Sequence, residues 1–219
     1  MTEKVFRVEE ATVAQIHEAM KRGETSCKAV AAEYIRRIEA YDRKGPSLLA
    51  VILVNPGALE EAEELDRFFR EKGPKGPLHG IPVLLKDNVE TKDMVTTSGS
   101  LSLENYMADD DAFIVKKLKE AGAFILAKAN MHEFAVWGES VSSILGQVLN
   151  PYDLTRTPGG SSGGTGAGMA ANFAAVGIGT DTINSIRSPS SACACVGIRP
   201  TIGLVSRDGV SPYSFDQDT

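Results

Sequence analysis

Apolar residues recur every three or four positions early in the chain and later gather into short unbroken runs. Val13, Ile16 and Met20 share one face of a helix that Thr12 opens, with Gln15 completing a capping box and Gly23 as the stop. Val30, Tyr34, Ile38 and Tyr41 form the inward stripe of a second helix starting near Thr25 or Ser26, with Arg36, Arg37 and Glu39 outward. Leu48 to Val54 reads as a short strand ending at Asn55-Pro56, and Ala58 to Lys72 as an amphipathic helix halted by Gly73-Pro74. The acids of that helix, Glu60, Glu61, Glu63 and Glu64, crowd its first turns, where the helix dipole favours them and solvent receives them. Ile81 to Leu85 reads as a buried strand, Ala112 to Ala121 as a helix closed by Gly122, and Ala123 to Ala127 as another buried strand. This strand–helix–strand rhythm predicts an α/β fold, a sheet covered by helices.

Composition adds bounds. The 219 residues are 42% apolar and 24% charged, ordinary values for one globular domain or a piece of a larger one. A net charge of −6 argues against nucleic acid or an anionic membrane as partner. No apolar run approaches the roughly 20 residues of a membrane span, and the first ten residues lack the apolar core of a signal peptide. A soluble cytoplasmic protein is therefore expected. Cys27, Cys193 and Cys195 are odd in number and read as free thiols packed as small apolar groups.

The stretch from Arg156 to Thr201 is dense in glycine and serine, yet Met169, Phe173, Val176, Ile178, Ile186, Val196 and Ile198 interrupt it, so it is not a flexible linker. Buried glycine and serine imply a tightly turned backbone that presents hydroxyl and N–H groups. Single-motif readings fail. Gly160 to Gly164 satisfies G-x-S-x-G, but that hydrolase pattern needs a later histidine and none follows His132. Gly166 to Ala171 satisfies G-x-G-x-x-A without a strand directly before it, and no Gly-Lys-Ser/Thr closes a P-loop. His132-Glu133 lacks the second zincin histidine, because position 136 is Val136, so no metal site is expected.

Without histidine, a neutral lysine can activate a serine. Lys86 ends an apolar strand, where burial disfavours its ammonium; a fall from about 10.4 to near 7 corresponds to roughly 4 kcal/mol. Alone, a lysine there would be an ion-paired or snorkelling residue. The surrounding segments change that weight. GPLHGIPVLLKDNVET, AKANMHEFA, TPGGSSGG and GTDTINSIRSPSSACACVGIRPT together resemble the amidase signature family of serine hydrolases, which cleave amide C–N bonds. The resemblance runs from about Gly76 to Val210 and implies a central mixed β-sheet covered by helices, with no cofactor. It implies Lys86 as the base, Ser161 as the bridging serine after a cis peptide bond, and Ser185 as the nucleophile. The two serines stand 24 positions apart, the separation the family keeps. Backbone N–H groups of Thr182, Ile183, Asn184 and Ser185 are implied as the oxyanion hole, worth roughly 3–4 kcal/mol per donor in other hydrolases. Ser162, Asp181 and Arg187 are implied as supports, and Asn130 and Met131, with Ser98, Gly99 and Ser100, as neighbours of the substrate pocket.

Two departures qualify the resemblance. Where the family carries Gly-Gly, this chain has Ile183-Asn184; a β-branched residue does not readily take positive φ, so either Ile183 keeps negative φ or the turn is altered. An intact oxyanion hole with changed selectivity is expected. Members of the family are also roughly twice as long. The whole chain, 1–219, is thus expected to be a single domain incomplete at its C-terminus, 1–75 being its N-terminal helical part and 76–219 its catalytic core. Exposed sheet edge and apolar surface predict self-association, a homodimer included. Three functions stay open: an amidase acting on a small-molecule amide, a truncated or degenerate relative without catalysis, and a glutamine-hydrolysing amidotransferase subunit. The departure from Gly-Gly favours the plain amidase.

Overall fold

The computed structural model describes residues 6–219, so part of the N-terminal segment lacking a signal-peptide core lies outside the described residues. Helix α1 (Val13–Lys21) carries the predicted capping box, with Gln15 N–H donating to Thr12 Oγ1 at 3.2 Å, and buries Ile16, Ala19 and Met20. Helix α2 (Cys27–Ile38) is capped by Ser26, whose hydroxyl accepts the Ala29 N–H at 3.1 Å. Its apolar stripe was expected to reach Tyr41, but the helix widens after Ile38 into a π turn over Glu39–Arg43 that turns Asp42 fully inward. There the Asp42 carboxylate accepts the N–H groups of Ala50 at 2.6 Å and Val51 at 3.3 Å, tying the helix to the strand that follows. Burial pushes Asp42 up to about 6 against those bonds. That strand, β1 (Val51–Val54), starts later than the apolar run because Ser47 and Leu49 take φ of 53° and 54°. Helix α3 (Ala58–Lys72) buries Ala58 and Ala62 and ends at Gly73 with φ 77°.

The main sheet contains β1, β2 (Pro82–Lys86), β3 (Phe124–Ala129) and β6 (Val176–Ile178) in the order β1-β3-β2-β6. β1 runs antiparallel to β3, while β2 is parallel to both β3 and β6, so the sheet is mixed. Every residue of β2 and β3 is buried, as expected of central strands covered on both faces. The strand period sorts their side chains: Leu84, Phe124 and Leu126 enter the larger core with α1 and α2, whereas Val83, Leu85 and Ile125 meet Val115 of α4 (Phe113–Glu120). A two-stranded ribbon, β4 (Val141–Ser142) with β5 (Gly146–Gln147), stands apart.

The glycine stretch contains a helix that composition did not announce, α5 (Gly163–Ala170), whose residues Gly163 through Gly168 are all buried. Glycine disfavours helix by about 1 kcal/mol per residue relative to alanine. Packing overrides that preference, because a Cβ at Gly164 would collide with the carbonyl oxygens of Asn130 and Ala50, and one at Gly168 with Leu84. The short helix α6 (Arg187–Ala192) follows. Beyond it Val196, Ile198, Leu204 and Phe215 are each at least 75% exposed, so that stretch contributes little core. Among the described residues, the three cysteines are free and no helix is long and apolar enough to cross a membrane.

Candidate active site

Strand β2 delivers Lys86 to the middle of the sheet's C-terminal edge, fully buried. Its Nζ lies 2.7 Å from Ser161 Oγ and 2.8 Å from Thr180 Oγ1. Burial drives its pKa down to about 7, against the opposing pull of the Asp181 and Asp218 carboxylates. A second buried lysine keeps to a different set of partners. Lys128 of β3 donates to Val89 O at 2.7 Å and Thr96 Oγ1 at 2.8 Å, with Asp87 Oδ1 at 3.7 Å. Burial lowers Lys128 as well, but only to about 8, with Asp87 foremost in holding it up. Asp87 in turn accepts the Thr97 N–H at 2.9 Å, so it belongs to Lys128 and the loop beyond it, not to Lys86.

The peptide bond Gly160–Ser161 is cis. Ser161 is fully buried, and its carbonyl accepts the His132 N–H at 3.0 Å. Ser140, at φ 58°, ties this loop together by donating to Gly159 O at 2.8 Å and accepting the Gly163 N–H at 2.9 Å. Ser162 brackets Thr180, its hydroxyl donating to Thr180 O at 3.2 Å and accepting Thr180 N–H at 3.3 Å. Thr180 is thereby fixed through its backbone while its side chain faces Lys86 and accepts from Asn88 Nδ2 at 3.2 Å.

After β6 the chain enters the turn Thr182–Ser185. Ser162 N–H donates to Ser185 O at 3.2 Å, which sets the loops of the two serines side by side. Among the described residues no hydrogen bond joins the Ser185 hydroxyl to Ser161. Neither Ile183 nor Asn184 takes positive φ, which answers the question posed by their replacement of Gly-Gly. Ile183 instead keeps an ordinary backbone and leaves its side chain 67% exposed. Asp181, fully buried, holds the far end of the turn: it accepts Ile186 N–H at 3.0 Å, Arg187 N–H at 3.2 Å, and Arg187 Nε and Nη2 at 3.1 and 3.0 Å. Burial pushes its carboxyl up, but Arg187 and these N–H groups bring it below the usual carboxylate range. Arg199 Nε approaches the same carboxylate at 3.3 Å.

The structure therefore assembles Lys86, Ser161, Ser162, Asp181, Arg187 and the turn Thr182–Ser185 in one place. Asn130 and Met131 are not brought to an accessible face. Both are fully buried, and the Asn130 amide is committed to Leu49 O at 2.9 Å and Met131 N at 2.8 Å. Ser98 reaches Ser211 Oγ at 3.1 Å, and Ser100 donates to Glu133 at 2.7 Å, so both anchor loops. Sequence reasoning missed Thr180, Asn88, Lys128 and Asp218. Only Thr180 had a local signal, a hydroxyl beside Asp181. Among the described residues no cluster of three or more metal-ligating side chains occurs.

A mixed sheet covered by helices, with a buried lysine amine in contact with a serine hydroxyl at its edge, is the architecture of the amidase signature fold. Residues 29–219 match the sequence profile described as Amidase, and the chain belongs to that family. It is similar to one subunit of the glutamyl-tRNA(Gln) amidotransferase of Geobacter sp. (strain M21), 45% identical over 94% of this chain. It spans about 42% of the length of that relative. Peptide amidase from Stenotrophomonas maltophilia superposes with a TM-score of 0.92 at 46% identity, over 96% of this chain and 44% of that one. An amidase family protein from Bacillus anthracis str. Ames superposes with a TM-score of 0.93 at 41% identity, over 97% of this chain and 43% of that one.

Proposed function

We propose that residues 76–219 form the catalytic core of a cytoplasmic amidase, in a single domain with the N-terminal helices, and that it hydrolyses a small-molecule amide to a carboxylate and ammonia or an amine. The observation that carries this reading is the fully buried Lys86 amine, shifted to about 7 and 2.7 Å from Ser161 Oγ. A neutral amine accepts the Ser161 proton while Ser161 takes the proton of Ser185, and Ser185 Oγ attacks the amide carbonyl. The N–H groups of the turn Thr182–Ser185 receive the negative charge that develops on the carbonyl oxygen. The Lys86 ammonium returns its proton through Ser161 to the leaving nitrogen, the C–N bond breaks, and water releases the acyl group from Ser185 by the same relay.

The amidotransferase relatives favour a second reading within the same chemistry, in which the amide is that of glutamine and the ammonia passes to a partner protein. Peptide amidase, equally similar, favours a peptide amide. The first test is a fluorophosphonate probe on the purified chain, with the adduct mapped by peptide mass spectrometry. Modification of Ser185 alone is expected. A folded chain without adduct would leave the signature without the chemistry, as a degenerate relative would have it. Ammonia release from glutamine against release from peptide amides then separates the two substrate classes.

A further inference from the structure

We infer that Asp218 is a positioning residue, whose carboxylate takes the Thr182 hydroxyl and thereby holds the turn Thr182–Ser185 in the shape that receives the oxyanion. This rests on the amide-hydrolase reading above. The carboxylate is itself anchored, because Oδ2 accepts the N–H groups of Tyr213 at 2.8 Å and Ser214 at 2.9 Å. Its Oδ1 accepts the Thr182 hydroxyl across 36 positions of sequence. The next residue, Thr219, adds a two-way backbone pairing with Asp181: Asp181 N–H to Thr219 O at 3.0 Å, and Thr219 N–H to Asp181 O at 3.2 Å. Its hydroxyl also donates to Asp181 O at 2.8 Å. Residues 213–219 thus hold the entry of the turn, while the Asp181 carboxylate holds its exit through Ile186 and Arg187.

The need for such a clamp follows from the residues in between. Ile183 and Asn184 point largely into solvent and pack on little. Donors for an oxyanion help only when they are fixed before charge develops. The carbonyls of Ile183 and Asn184 accept from Arg187 Nη2 and, at 2.8 Å, from Ser188 N–H, so α6 holds the later part of the turn and Asp218 holds its first residue. The Asp218 charge also favours the ammonium form of Lys86. The charged groups acting on Lys86 are Asp181, after β6, and Asp218, in the tail, while the other contacts are the uncharged hydroxyls of Ser161 and Thr180. Asp87, just after β2, and Lys128 of β3 are turned toward each other.

The experiment compares the full 219-residue chain with Asp218→Asn, Thr182→Val and the double variant. It measures the rate of fluorophosphonate labelling of Ser185 against pH, and hydrogen exchange by mass spectrometry. Asp218→Asn is expected to label about tenfold more slowly and to shift the acid limb of the pH profile to lower pH, because the ammonium of Lys86 loses a counter-charge. Thr182→Val is expected to label as slowly with the limb unmoved, since the charge remains. The double variant should be no slower than Asp218→Asn, because both changes break one interaction. Exchange should accelerate over 182–185 and stay unchanged in β2 and β3. A wild-type chain that labels, with Asp218→Asn labelling equally fast, overturns this inference alone. Slower labelling with accelerated exchange throughout also overturns it, since Asp218 would then be a general fold contact. A folded wild-type chain that does not label overturns the hydrolase reading and takes the inference with it.

Discussion

Lys86→Met is expected to slow fluorophosphonate labelling of Ser185 by about 10³-fold, within the range of a lost general base. Methionine is chosen because it matches the length of the buried stem without offering a proton acceptor. The amine is in contact with Ser161 at 2.7 Å, so its loss stops the relay at its first transfer. In the wild-type chain the labelling rate should rise with pH to a plateau, with a midpoint near the Lys86 value of about 7. The direction follows from the chemistry: only the neutral amine accepts a proton, and it accumulates above its pKa. The rate of the Lys86→Met variant should be flat across the same range. A wild-type midpoint above 9 would mean an amine charged at neutrality, and the proposed relay would fail.

The same substitution has a second large consequence, for stability. In the unfolded chain the Lys86 amine binds its proton up to about pH 10.4, whereas in the fold it does so only up to about 7. Between those values the unfolded state binds more protons, so the contribution of Lys86 to stability improves as pH rises through that window. At pH 7 the wild type carries a penalty of roughly 4 kcal/mol that is gone near pH 10.4. Methionine carries no such penalty at either pH. The unfolding free energy of Lys86→Met relative to wild type should therefore fall by roughly 4 kcal/mol between pH 7 and pH 10.4. Urea titrations at the two pH values measure this. Lys128, Tyr34 and the thiols titrate in both proteins and cancel in the difference. A difference that does not change with pH would show that burial leaves the lysine pKa unmoved.

What the sequence disclosed depends on the range over which each feature is encoded. The strands β2 and β3 were legible because both faces are buried and their apolar runs are unbroken. Lys86, Ser161 and Ser185 emerged through the ordered segments that resemble a family, not from any single motif. Helix α5 was not legible, because its four glycines oppose a helix locally and only the closeness of Asn130, Ala50 and Leu84 selects it. The pairing of Lys86 with Thr180 spans 94 positions, and no local pattern announces a contact of that range. The end of α2 was misplaced because Tyr41 continues the apolar period, while the buried Asp42 imposes a wider turn. The resemblance implied Asn130 as a neighbour of the pocket, but its amide is spent on backbone partners.

Helix α5 also bears on where heritable variation can be stored. Its glycines let backbone lie against backbone and against Leu84, so almost any side chain introduced between Gly163 and Gly168 disturbs Ser161 and Ser162 at its head. Ile183 and Asn184 stand in solvent beside Ser185, with ordinary φ and room for other side chains. If the proposed hydrolase reading holds, a diversifying lineage would keep the chemistry on an almost immutable floor and write new acyl preferences on a two-residue rim.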